Sequence, residues 1–172
     1  MTNRHETKRL GAGMIVTAWL VIIGLFTWYF FLELDQQRNP NQNIQIMGGG
    51  EAAEVILQRN RFGHYVVTGE INGQEVEFML DTGASDVAIG DLLAQELGLK
   101  KGLPRIYQTA NGAVQGYRTK LDTVRIGAIL VRDVRGSINP GLDGRQILLG
   151  MSFLKHLEFT QRGDTLILRP YL

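Results

Sequence analysis

The stretch "EVEFMLDTGASDVAIG", from Glu75 to Gly90, places one carboxylate, Asp81, behind an apolar run and directly before Thr82-Gly83. Such a carboxylate is costly to ionise unless polar groups are brought to it. At the end of a strand, where a turn begins, backbone N–H groups can reach it. Gly83 puts no Cβ in their way. Thr82 adds a hydroxyl that can donate and accept, suited to tying one loop to another. A carboxyl group held in this manner can serve as a general acid or base. The same triplet also suits an ordinary Asx-type turn at a strand end, and three residues alone do not separate the two uses.

Other chemistries have little to draw on. With no cysteine in the 172 residues, disulfides, thiol catalysis and cysteine-based zinc sites are excluded. His5, His64 and His156 lie far apart and form no HExxH or paired spacing, so neither a metal nor another cofactor is expected. A net charge of +1 with no basic stripe gives no reason to expect a nucleic-acid partner.

The elements that must position Asp81 read as mostly β. "AEVILQRN" and "HYVVTGEI" are strand-like, Asn72-Gly73 signals a two-residue hairpin turn, and "QEVEFML" leads into the acid. After the acid, Asp91 is expected to cap a short helix through "LLAQELGL", with Leu93 and Leu97 on one face and Gly98 as its stop. A long hairpin through "RIYQTANGAVQGYRTKLDTVRIGAIL" should turn at Asn111-Gly112, followed by strands at "VRDVRGSI" and "QILLG". "SFLKHL" reads as a short helix capped by Ser152, and "LEFTQRGDTLILRP" as a closing hairpin. Helix–sheet alternation at βαβ spacing is absent, which disfavours a doubly wound parallel sheet.

Ahead of this domain, Leu10–Leu32 contains no charged residue and is long enough to cross a ~30 Å hydrocarbon core. Arg4, Lys8 and Arg9 precede it, while Glu33 and Asp35 follow. The positive-inside rule therefore puts residues 1–9 in the cytoplasm and the remainder across the membrane. For a bacterial chain this means a single-pass protein of the inner membrane with a periplasmic domain. Residues 33–51, rich in Asn, Gln and Gly, read as a flexible tether in which autocleavage could release the domain. Residues 52–172 then form the folded domain.

Some 65 residues beyond the triplet, "ILLGMSFL" supplies an apolar run, a glycine and a helix, and a glycine-tipped hairpin lies between. These parts in this order resemble the retropepsin-like aspartic proteases, over roughly Ala52–Leu172. Bacterial membrane-anchored members offer the nearest likeness. The resemblance implies a β-barrel lobe, one per chain, that pairs as a homodimer and hydrolyses peptide bonds in a peptide or protein substrate. It makes Asp81 the catalytic acid, Thr82 the hydroxyl contact between subunits and Gly83 a donor to the carboxylate. Ala84 and the flap tip Thr109, Ala110, Asn111 and Gly112 would meet substrate, and Ile147–Gly150 would thread behind the active loop. Ala84 stands where pepsins carry serine and matches the retroviral choice.

Hydrolysis by this route needs two carboxyl groups that share a proton. Asp143 in "LDGR" and Asp164 in "GDTL" lack the Thr-Gly completion, so the second acid should come from another copy. Thr165–Leu168 and Ala53–Leu57 are candidate interface strands. The alternative is a non-catalytic peptide-binding or dimerisation module that retains the protease fold.

Overall fold

A computed structural model of the chain describes residues 3–47, 54–109, 112–142 and 144–171. It divides into two units, Met1–Gln37 and Arg38–Leu172.

The first unit is one helix, α1 (Asn3–Arg38), which continues beyond both ends of the expected 10–32 span. Its Gly13–Arg38 portion is long and apolar enough to cross a membrane, with a mean hydropathy of 2.1 in its most apolar window. Thr17 and Thr27 donate their hydroxyls back to Gly13 O (3.0 Å) and Ile23 O (2.8 Å), which keeps both polar groups satisfied within the helix.

The second unit is built from two sheets. Strands β1 (Gln45–Met47), β2 (Glu54–Gln58), β10 (Leu157–Arg162) and β11 (Thr165–Pro170) form a four-stranded sheet in the order β1-β2-β11-β10. The other sheet holds β3 (Val66–Ile71), β4 (Gln74–Leu80), β5 (Val87–Gly90), β6 (Pro104–Thr109), β7 (Gly112–Ile126), β8 (Ile129–Asn139) and β9 (Gln146–Leu149). Its order is β3-β4-β9-β5-β8-β7-β6, and a further β3–β7 pairing closes the ring with β6 outside it. Two short helices, α2 (Asp91–Glu96) and α3 (Met151–Leu154), follow β5 and β9.

Alternation explains which faces are buried. Val67 and Ile71 of β3, Val76 and Phe78 of β4, Val87 and Ile89 of β5, and Ile147 and Leu149 of β9 all point into one core. The Asn72-Gly73 turn has φ of +51° and +78°, the left-handed pair that matches strand twist in a two-residue hairpin. Asn72 is also docked on β7: its side-chain oxygen accepts from Thr123 N–H and its own N–H donates to Thr123 O, both at 3.0 Å.

Several expectations need revision. The globular unit begins at Arg38 rather than at residue 52, and residues 39–47 of the expected tether are built into it. The buried Asn41 amide donates to Gln58 O (2.9 Å) and Val66 O (2.7 Å) and accepts from Gln58 N–H (2.7 Å), riveting β2 to β3. Asn39, also buried, donates to Thr68 Oγ1 and Glu77 Oε2. Polar amides do here what apolar side chains do elsewhere, so hydrophobic periodicity does not register the segment. The remainder of the expected tether, residues 48–51, lies outside the described residues.

Asp91 is not a cap. Gly90 occupies that position, and the Asp91 carboxylate instead meets Gln95 Nε2 (3.2 Å) and the Lys101 ammonium. Ser152 sits inside α3, with Gly150 at the N-cap. The "GAIL" end of the long hairpin is a second turn and the start of the next strand, because Gly127 (φ +54°) and Ala128 turn the chain and β8 runs unbroken from Ile129 through "VRDVRGSI" to Asn139.

Candidate active site

Strand β4, which ends in the apolar run Phe78-Met79-Leu80, runs parallel to β9, with Phe78 beside Ile147 and Leu80 beside Leu149. This pair carries Asp81 to the strand end, where its N–H donates to Leu149 O at 3.2 Å. The chain then turns: Gly83 N–H donates to the Asp81 carboxylate at 2.8 Å, and Ala84 N–H to Asp81 O at 3.2 Å. Asp81 and Ala84 are half-buried, whereas Thr82 and Gly83 are exposed. The carboxylate therefore has one fixed donor and an open side.

The loop is held from behind by the segment after β9. A Cβ on Gly150 would lie 2.3 Å from Asp86 O and 2.5 Å from Ala84 O, so only glycine lets the strands approach this closely. Met151 N–H donates to Ala84 O (2.8 Å) and Ser152 N–H to Ser85 O (3.0 Å). These are first-turn N–H groups of α3, which a helix leaves without internal partners, and no side chain caps them. Carbonyls of the Asp81 loop cap the helix instead.

Thr109 and Gly112 pair across the end of the β6–β7 ladder, with Gly112 at φ +106°. The other two residues expected at the flap tip, Ala110 and Asn111, lie outside the described residues. Asp81 to Ala84 thus form one continuous loop, and Thr109 and Gly112 belong to a separate hairpin.

Residues that sequence reasoning did not single out gather beside the loop. Asp86 is 7% exposed, and its carboxylate faces Arg135 Nε of β8 at 3.4 Å. The Tyr107 phenol of β6 is pushed above its ordinary value of 10.0, first by burial and then by the Asp86 charge, against the opposing pull of Arg105 and Arg118. Asp86 was visible only as one acid near the triplet, and nothing local linked it to Tyr107 or Arg135. Among the described residues, no three His, Asp or Glu side chains come together as a metal site.

Residues 67–156, from β3 through α3, match the family model described as "gag-polyprotein putative aspartyl protease". That match spans more than half of the chain and contains both the Asp81 loop and the Gly150 segment behind it. The chain belongs to the retropepsin-like aspartic protease family. A crystal structure of a retropepsin-like aspartic protease from Rickettsia conorii superposes with a TM-score of 0.58 and 36% identity, covering 73% of this chain and 94% of that one. An uncharacterized protein of Rickettsia prowazekii is 37% identical, covering 96% of this chain and 74% of the relative. An uncharacterized protein in the cobV 5′ region of a Sinorhizobium species is 32% identical, covering 98% and 77% respectively. The mostly-β fold with one N-terminal apolar helix expected from the sequence is therefore the fold of this retropepsin-like chain.

Proposed function

We propose that this chain is an aspartic endopeptidase that works as a homodimer and needs no cofactor. The observation that carries the reading is Asp81 itself. It is the acid of the chain's single Asp-Thr-Gly, delivered by β4 to a turn where Gly83 N–H fixes one carboxylate oxygen. One Asp81 takes a proton from water while its twin, from the second subunit, protonates the scissile carbonyl. Two carboxyl groups this close share a proton, since both cannot ionise easily. Thr82, exposed in the single chain, is suited to a hydroxyl contact with the facing loop. Ala84 and the tip from Thr109 to Gly112 would contact an extended peptide.

The apolar α1 is read as a single-pass anchor in a bacterial inner membrane, with the protease domain on the periplasmic side. Confinement to a membrane raises the effective concentration of the chains and favours a weak dimer. Self-cleavage within residues 45–47 would first have to free β1, because strand-paired backbone cannot enter a cleft as a free extended peptide.

The test compares wild type with Asp81→Asn on a mixture of unstructured peptides from acidic to neutral pH. Removing an essential acid–base group costs roughly 100- to 10,000-fold, so the variant should cleave at or below detection. Equal cleavage by both proteins would overturn the reading. Peptide binding by a dimer that cleaves nothing would indicate the binding module instead.

A further inference from the structure

Ser152 is almost fully buried, yet its hydroxyl does not cap α3. It accepts from Val87 N–H at 3.1 Å and donates to Arg135 O at 2.7 Å. Its own N–H donates to Ser85 O at 3.0 Å. One residue therefore binds the end of the Asp81 loop, the start of β5 and the middle of β8. The Arg135 side chain returns to Asp86, the residue before Val87, which closes a circuit of Asp86, Val87, Ser152 and Arg135. A helix of four residues would not form by its own propensity, so these bonds serve the loop as much as the helix.

We propose that Ser152 is a positioning residue of the active site, whose hydroxyl fixes the Ala84–Val87 segment so that the Gly83 N–H stays on the Asp81 carboxylate. The proposal rests on the protease reading above for its kinetic consequence, though not for its structural one. Ser152→Ala takes the hydroxyl from the buried Val87 N–H and the part-buried Arg135 O, and at 4% exposure of Ser152 water has little access to replace it at Val87. The loop then drifts relative to β9, and an ångström of drift near a reacting group costs on the order of 100-fold in rate.

The experiment compares full-length wild type, Ser152→Ala and Ser152→Thr in detergent. Turnover is measured on a peptide that the wild type cleaves, alongside amide hydrogen exchange at Val87 and Gly83. Ser152→Ala should lower kcat by about 10- to 100-fold while KM changes less than about threefold. Ser152→Thr, which keeps the hydroxyl, should recover most of the loss. Exchange should accelerate at Val87, whose bond is removed, and also at Gly83, which Ser152 never touches. Faster exchange at Val87 with Gly83 unchanged, or an unaltered kcat, would overturn the proposal. Should the alanine variant fail to fold, Ser152→Cys carries the same comparison, since it retains the side-chain shape but bonds weakly. A wild type that cleaves no peptide would count against the protease reading alone, and the exchange at Gly83 would still decide this one.

Discussion

Gly150 shows how much of the site rests on the absence of an atom. Its Cβ position is occupied by two backbone carbonyls, Asp86 O and Ala84 O, neither of which can rotate away as a side-chain tip would. Gly150→Ala must separate β9 from the Asp81 loop, and it also disturbs the N–H groups of Met151 and Ser152 that the loop carbonyls accept. Overpacking of this kind costs about 1–3 kcal/mol. The lowered midpoint should appear in chemical denaturation, with activity falling further than the stability loss explains. An alanine variant as stable as wild type would show that the close approach is not required. At this scale the Asp-Thr-Gly triplet was readable because its residue types are informative by themselves. The Ser152 hydroxyl carries no such local signal, since its partners lie on β5 and β8 and not within α3.

Among the elements, the segment following α1 departs most from its sequence. Its Asn- and Gln-rich composition has no apolar period, and a linker is the expected reading of such a pattern. Asn41 nevertheless satisfies its amide on β2 and β3 and so ties one strand of each sheet to the other. Asn41→Ala leaves Gln58 N–H, Gln58 O and Val66 O without these partners. The Val66 O bond is buried and the two Gln58 bonds are partly exposed, so at about 1–3 kcal/mol per unsatisfied buried group, with water recovering much of the Gln58 share, the net loss should be about 2 kcal/mol. Thermal or denaturant unfolding of the full chain measures it. A change below about 0.5 kcal/mol, the usual size of a surface substitution, would return the segment to the status of a tether. The strands themselves were legible because alternation and turn chemistry are local. Helix capping was not, since Gly90 and loop carbonyls took roles that Asp91 and Ser152 are chemically equipped to fill.

For the whole molecule the decisive quantity is the number of acids in an active particle. If each active particle needs one Asp81 from each of two chains, an equimolar mixture of wild type and Asp81→Asn, dissociated and reassembled, contains about one quarter wild-type pairs. Its activity should then be about one quarter of that of wild type at the same total concentration. Independent active chains would give one half, and that result would refute the shared site. Length, apolar composition and alternation determined the apolar N-terminal helix, the β character of the domain and the position of the candidate acid, because each depends on residues near one another in the chain. Only the tertiary structure decided that Arg38 opens the globular unit, that loop carbonyls cap α3, and that Tyr107 and Arg135 gather around Asp86. Those facts depend on hydrogen bonds and burial between segments whose separation along the chain carries no local pattern.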